Sequence, residues 1–187
     1  ESHDSQYEIL MWYDSSLKTL YYFTEGEKIE LTQYCNQMFS GMSNLRELDL
    51  SNFDTSRVTS FYQMFMGASS LKKLDLSGFK TSKIKVMVEM FKNMVSLEEV
   101  DLSNFDMSKV EQIGEMFDGD VKLRTIYATS DLIPGGKNFD WLGVFRGCVN
   151  LVGGNGSKMT ESELDSSGHE WMRIDRPGVP GYLTLKK

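Results

Sequence analysis

The stretch of sequence that decides the fold is residues 48–79, LDLSNFDTSRVTSFYQMFMGASSLKKLDLSGF. It contains the LDLS phrase twice, with the second copy 26 residues after the first. The same period separates the phenylalanines of four Met-Phe pairs, which are Phe39, Phe65, Phe91 and Phe117. A fifth phenylalanine, Phe145, follows after 28 residues. Repetition at a fixed period indicates a protein built from stacked units.

A second pattern, LxxLxL, follows the first four of these phenylalanines. Its copies are Leu45-Leu48-Leu50, Leu71-Leu74-Leu76, Leu97-Val100-Leu102 and Leu123-Ile126-Ala128. Alternate side chains of an extended strand point to opposite faces, so the last two apolar residues of each copy point inward. One unit cannot bury its own apolar face, but stacked units cover each other. The period lies within the range of about 20–29 residues of leucine-rich repeats. The sequence therefore predicts an α/β solenoid, a leucine-rich-repeat right-handed coil with a short parallel sheet.

The remainder of each unit predicts a short helix. Three such segments, RVTSFYQMF, KIKVMVEMF and KVEQIGEMF, end at Phe65, Phe91 and Phe117, and each is preceded by a Ser or Thr that could cap a helix. Val58 and Phe61 stand seven and four residues before Phe65, which is the spacing of one helix face. The phenylalanine that ends each helix should stack on its equivalent in the next unit.

Three parts of the chain follow from these patterns. Residues 1–33 predict an N-terminal β-hairpin cap, because YEILMWY and LKTLYYF flank the polar DSS. Residues 34–152 predict the solenoid of about five 26-residue coils. Residues 153–187 predict a loop and a C-terminal β cap, in which MRID and YLTLKK flank RPGVPG. We expect β-hairpin caps at both ends, since an open solenoid end exposes a strand edge and the core.

The repeat at residues 48–79 and the tail LVGGNGSKMTESELDSSGHEWMRIDRPGVPGYLT resemble the BspA-like leucine-rich-repeat bacterial surface proteins, in their mycoplasma lipoprotein-repeat variant. The resemblance covers about residues 34–185. It implies a secreted, extracellular or cell-surface protein that serves adhesion and host contact, and it implies no catalytic residues. One departure is Lys80, which stands where Asp54 and Asp106 have a carboxylate.

Composition argues against several function classes. A net charge of -7 disfavours a nucleic-acid partner, which is bound by clustered Lys and Arg. No apolar run approaches the roughly 20 residues of a membrane helix, so we expect no direct membrane insertion. The first ten residues, ESHDSQYEIL, lack the basic and apolar regions of a signal peptide, which does not by itself indicate a cytosolic protein. With two His and two Cys, we expect no enzyme, no metal and no cofactor, and we expect a monomer.

The two cysteines can be placed by their position in the repeat. Cys35 falls in the inner column of Phe61, and Cys148 falls in the column of Met42 and Ala68. The two thiols are thus about four coils, or roughly 20 Å, apart, whereas a disulfide needs Cα atoms within about 7 Å. We expect both thiols to be free and buried.

The candidate binding residues form one outward column on the strand face: Asp49, Asp75, Asp101 and Tyr127. Carboxylates stacked about 5 Å apart repel by about 1 kcal/mol per pair in a water-like dielectric. Three interpretations stay open. The carboxylates could accept hydrogen bonds from Ser51, Ser77 and Ser103 or from loop amides. They could form a docking face for a basic or cationic ligand. They could bind calcium, although no DxDxDG loop is present.

A neighbouring outward column alternates in charge, and we expect it to stabilise itself across the coils. Its members are Glu47, Lys73, Glu99 and Thr125. Together these patterns predict a non-catalytic recognition or adhesion module that binds a host protein or glycan through the solenoid strand face. The alternative is a structural spacer of a larger surface protein, with no ligand of its own.

Overall fold

A computed structural model describes residues 9–134 and 141–187 of the chain. Its elements are β1 (Ile9–Asp14), β2 (Thr19–Thr24), β3 (Ile29–Glu30), β4 (Phe53–Asp54), β5 (Glu99–Asp101), β6 (Thr125–Ala128), α1 (Glu161–Asp165) and β7 (Leu183–Leu185). A 3₁₀ turn at His169–Trp171 lies between α1 and β7. No helix in the described ranges is long and apolar enough to cross a bilayer. The first eight residues of the predicted N-terminal cap lie outside these ranges.

Parallel pairing connects residues one period apart on the strand side. β5 pairs with β6 in the register Glu99 to Thr125 and Asp101 to Tyr127, an offset of 26 residues. Leu102 then donates its N–H to the Tyr127 carbonyl at 2.9 Å. Equivalent residues of these two units therefore lie directly beside each other, and the outward columns of the sequence are rows in space.

The segments predicted as helices are stacked turns, so the helix prediction is wrong. Within a segment, Met64 donates its N–H to the Phe61 carbonyl at 3.1 Å, the three-residue step of a β-turn. The intervening residues donate to the next unit instead, as Phe65 does to the Met90 carbonyl at 3.0 Å. Half of the N–H groups thus leave the segment, whereas an α-helix would use them internally.

Left-handed residues explain why these segments cannot be helical. Gln63 has φ 54° and Gly67 has φ 70°, and both occupy the third position of a turn that requires positive φ. The same conformation recurs in each unit, at Gln37, Glu89 and Glu115 and at Gly41, Asn93, Gly119 and Gly147. An α-helix needs φ near -60° at every residue, so one such residue ends it.

The predicted file of phenylalanines is confirmed. Neighbouring ring centroids are 5.6, 6.0, 5.1 and 5.8 Å apart, and the rings are tilted from each other by no more than 10°. The file consists of Phe39, Phe65, Phe91, Phe117 and Phe145, all at most 1% exposed. At the far end, the ring of Tyr182 meets Phe145 edge-on at 5.2 Å. These rings form the centre of the hydrophobic core.

Two buried threonines join neighbouring units instead of capping helices. The Thr55 hydroxyl accepts the N–H of Lys80 at 2.7 Å and donates to the Lys80 carbonyl at 3.1 Å. Thr81 repeats these contacts with Asp106, accepting its N–H at 2.7 Å. Each hydroxyl therefore satisfies backbone groups that stacking would otherwise bury without partners. On the surface beside them, Lys80 forms an ion pair with Asp54 at 3.4 Å, in agreement with the charge alternation of that column.

The N-terminal end carries an antiparallel hairpin of β1 and β2. The Asp14 carboxylate accepts the N–H groups of Ser16 and Leu17 in the turn. One face of β2 packs on the core through Leu20, which is 8% exposed. The other face is open to solvent, where Trp12 stacks on Tyr21 with ring centroids 5.5 Å apart.

The C-terminal end differs from the predicted hairpin of MRID and YLTLKK. The chain turns between Arg176 and Val179, but Leu183 then forms a parallel bridge with Ile174. β7 continues in parallel with β6, with Leu183 beside Ile126. The stretch before it contains α1, which begins after the Thr160 capping box. β7 therefore extends the parallel sheet, so this end has no antiparallel hairpin of those two strands.

Both thiols are free and buried, as predicted. The Cys148 thiol donates to the Phe117 carbonyl at 3.0 Å, and burial raises its pKa well above the ordinary value. Burial also raises the pKa of Cys35, to about 11. In the same column as Cys148 lies a fully buried carboxyl, Asp120. Its Oδ1 accepts the Met94 N–H at 2.7 Å, while its Oδ2 has no hydrogen-bond partner among the described residues.

Removal of one ring from the phenylalanine file should destabilise the fold strongly. We expect Phe91→Ala to lower the free energy of unfolding by about 3–5 kcal/mol, because it leaves a cavity between two stacked rings. The matched control, Phe23→Ala, removes a ring that is 53% exposed and should cost about 1 kcal/mol or less. Urea unfolding followed by circular dichroism measures both. Equal losses for the two variants would contradict the assignment of Phe91 to the core.

The buried carboxyl of Asp120 should make stability depend on pH. Burial raises the pKa of Asp120 in the folded state, whereas an aspartate in the unfolded chain has a pKa of about 3.9. As pH rises above that value, the unfolded state loses its proton while the folded state retains it, so stability falls. Asp120→Asn keeps an acceptor for Met94 and cannot ionise.

We therefore expect Asp120→Asn to be more stable than the parent at pH 7 and to lose less stability between pH 4 and pH 7. Thermal unfolding across this pH range provides the measurement. The same change at the exposed Asp165 is the control and should leave the slope of stability against pH almost unaltered. Parallel pH profiles for Asp120→Asn and the parent protein would refute the raised pKa.

Candidate functional site

The three aspartates of the predicted column have the same local geometry. In each, Oδ1 accepts the N–H of the serine two residues later at 2.9 Å. The pairs are Asp49 with Ser51, Asp75 with Ser77 and Asp101 with Ser103. Hydrogen bonding of this kind was one of the three interpretations of the column, and the contacts confirm it. Each aspartate keeps a second carboxylate oxygen that is free of this turn.

The charges in the column are partly compensated from within the protein. The Lys186 ammonium, which follows β7, contacts the Asp101 carboxylate. Partial burial opposes ionisation of Asp101, but Lys186 and the Ser103 donors outweigh it and keep its pKa below the ordinary value. The pKa of Asp75 is also lowered, mainly by the hydrogen bonds from Ser77, although the Asp101 charge acts against this.

The four predicted residues form a continuous row only in part. Tyr127 lies half-buried in β6, between Asp101 on β5 and Thr184 on β7. Asp75 is exposed and close enough to Asp101 for the two charges to repel. At the other end, the charge of Asp49 acts on Tyr22 of the hairpin, whose pKa is raised mainly by burial. The row therefore runs from the hairpin to β7, and the Lys186 ammonium covers the part of it at Asp101.

A groove beside Asp75 was missed by the sequence analysis. It has a volume of about 810 Å³, and its lining residues come from the first three units of the strand face. Its lining includes Arg46, Glu47, Lys72, Lys73, Ser70 and Ser96. Since these side chains come from different repeats, their convergence depends on stacking. The available signal was the pair of adjacent cations at Lys72 and Lys73, which stands one period after Arg46 and Glu47.

The expected charge ladder on this face is not formed at Lys73. Among the described residues, Lys73 makes no ion pair with Glu47 or Glu99, its neighbours in the column. The prediction that this column stabilises itself through its charges therefore fails at that position.

A polar network on the turn side was also missed. The Gln37 side-chain amide donates to the Gln63 amide oxygen at 2.5 Å, and Gln63 donates in turn to Glu89. Lys92 continues the network to Glu89, Glu115 and Asp118, and Arg146 joins it at Glu115, 3.2 Å away. Burial opposes the charge of Lys92, but these hydrogen bonds raise its pKa. The network links the left-handed glutamines and glutamates of four successive units. We call it the polar brace, because it connects neighbouring units to each other.

Chemically, this surface offers fixed rows of carboxylates, cations and hydroxyl groups. Within residues 9–134 and 141–187, no group of three or more His, Cys, Asp or Glu side chains is arranged to hold a metal ion. The two thiols are buried, and their raised pKa values disfavour the reactive thiolate. Ionic contacts and hydrogen bonding to an outside partner are the interactions that the exposed groups can make.

The sequence matches a known protein family over part of its length. Comparisons with curated proteins and with solved structures each gave no match. Residues 28–129, which include β3 to β6 and the stacked turns before them, match the family described as "Mycoplasma protein of unknown function, DUF285". The match spans more than half of the chain, and the chain belongs to this family.

Proposed function

We propose that the chain is a non-catalytic recognition module, a BspA-like leucine-rich-repeat solenoid that acts at the cell surface or after secretion. Its partner is a host protein or glycan, bound through the strand face. The observation that carries the proposal is the in-register pairing of β5, β6 and β7. This pairing holds outward side chains of different units at fixed spacing, which is how stacked repeats present a binding surface.

The solenoid part of the proposal is supported by repeated contacts at one period. Backbone hydrogen bonds join equivalent units throughout the turn side, from Gln37 with Tyr62 to Glu89 with Gly114. The phenylalanine file crosses five units without interruption. Contacts restricted to neighbouring units are characteristic of solenoid proteins.

The recognition part is supported by the unused groups of the strand face. Asp75 is exposed, and its turn hydrogen bond occupies one carboxylate oxygen only. Tyr127, which is partly exposed, lies beside Asp101 on the sheet. Tyrosine is enriched at protein interfaces because it combines an apolar ring with a polar end.

One observation favours the alternative, a structural spacer. Lys186 neutralises Asp101, and serine N–H groups satisfy all three aspartates, so the column is partly stable without any ligand. A surface whose charges are compensated internally has less to gain from a partner. The two functions make different predictions for variants of the strand face.

A triple variant separates them: Asp75→Asn, Asp101→Asn and Tyr127→Thr. Asparagine retains the acceptor for the serine N–H, and threonine suits a strand, so the fold should persist. We expect adherence to immobilised host matrix and mucin components to fall about tenfold or more, since hot-spot residues each contribute about 1–2 kcal/mol or more to binding. Surface plasmon resonance gives the affinity, and circular dichroism checks the fold.

The matched control makes the same three changes away from the strand face: Asp54→Asn, Asp106→Asn and Tyr62→Thr. Its adherence should equal that of the parent chain. If the strand-face variant adheres as well as this control, the spacer function is supported and recognition through the strand face is refuted.

A further inference from the structure

The groove beside Asp75 has an unusual charge environment for this chain. Three cations, Arg46, Lys72 and Lys73, converge on it. In the part of the chain that the structure describes, none of the three forms an ion pair or a side-chain hydrogen bond. Arg57 and Lys85 pair with Glu30 and Glu111, but among the described residues Lys28, Lys83 and Lys109 form no ion pair either. What distinguishes the three groove cations is that they line one groove together. The chain as a whole has a net charge of -7, so the groove is a local reversal of sign.

Backbone contacts hold this cluster in place. Arg46 donates its N–H to the Lys18 carbonyl at 2.9 Å, and Thr19 at the start of β2 bridges to Glu47. The hairpin thereby fixes the first row of the groove. Stacking of the second unit on the first then sets the positions of Lys72 and Lys73. Cations that outnumber the carboxylates around them and form no ion pair can attract an anionic ligand.

The remaining lining residues restrict what this anion can be. Glu47 and Asp75 lie in the same groove as the cations, and both are exposed. A polyanion with no hydrogen-bond donors would be repelled by these carboxylates, and an acidic peptide of Asp and Glu could offer them only its backbone N–H groups. A ligand that carries both anionic groups and hydroxyl donors would satisfy both kinds of side chain. Ser70 and Ser96 add hydroxyl groups that can donate or accept.

We propose that this groove binds an acidic carbohydrate, in which sulfate or carboxylate groups contact Arg46, Lys72 and Lys73 while sugar hydroxyls donate to Glu47 and Asp75. The groove volume of about 810 Å³ lies within the range of roughly 300–1,000 Å³ typical of ligand sites. The inference deepens the proposed recognition function, on which it rests, by naming the ligand class. It also locates the site at the hairpin end of the strand face.

Isothermal titration calorimetry with a sulfated heparin hexasaccharide and a hexagalacturonate tests both anionic groups. We expect at least one to bind at low salt, with an affinity that decreases as ionic strength rises. The triple variant Arg46→Gln, Lys72→Gln and Lys73→Gln should weaken binding about tenfold or more, because it removes all charge-assisted contacts of the groove. A neutral hexasaccharide should not bind.

A matched control keeps the net charge of that variant by neutralising three exposed lysines outside the groove: Lys28→Gln, Lys83→Gln and Lys109→Gln. It should change the affinity less than about twofold, since distant exposed charges are screened. Equal weakening by both variants would show attraction without a site and would overturn the proposal. Hexaglutamate that binds more tightly than either oligosaccharide would also overturn it, in favour of a peptide ligand.

The groove proposal and the recognition function can be refuted independently of each other. If the parent chain adheres to host matrix through Asp101 and Tyr127 but binds neither acidic oligosaccharide, the groove proposal fails and recognition stands. If binding of the oligosaccharides depends on Arg46, Lys72 and Lys73 while a double variant, Asp101→Asn and Tyr127→Thr, still adheres, the groove is the site. In that case the partner contacts assigned to Asp101 and Tyr127 are refuted.

Discussion

Stacking of one phenylalanine per unit on the next constrains the whole structure. The rings are 5.1–6.0 Å apart, and the backbone hydrogen bonds of the turn side join the same pairs of units. Both contacts require equivalent residues to lie beside each other, so each unit must reach the file after the same path. Phe145 follows Phe117 by 28 residues but still stacks on it at 5.8 Å, so the two additional residues are accommodated elsewhere in that unit. The stacking of the rings is thus maintained even where the number of residues between them changes from 26 to 28.

A turn that requires positive φ makes this geometry possible. Gln63 and its equivalents adopt a conformation that costs a residue with a side chain about 1–3 kcal/mol. Hydrogen bonds between units offset this cost. Gln63 donates its own N–H to the Val88 carbonyl, and its side chain forms hydrogen bonds with the neighbouring units. Glycine would adopt the backbone more easily, but it could not supply the side-chain amide. The polar brace and the left-handed backbone therefore depend on the same residues.

The sequence was sufficient to predict features that depend on the period alone. Phe91 was placed in the file, and Cys148 in a buried column, by counting residues. The helices were not predictable in this way, because a stripe such as Val58, Phe61 and Phe65 is compatible with either a helix or stacked turns. The deciding φ angle at Gln63 has no glycine to indicate it. The groove at Arg46 and Lys72 was missed because its cations belong to different units, and only the stacked structure shows that they line one groove.

The late position of β7 has a consequence for biosynthesis. β6 ends at Ala128 and β7 begins at Leu183, 55 residues further along the chain. At translation speeds of about 5–20 residues per second, the ribosome needs roughly 3–10 s to make the intervening segment. During that interval the β6 edge has no strand beside it, and Asp101 lacks Lys186. A nascent chain would therefore expose this strand edge to other polypeptides until its last residues have been made.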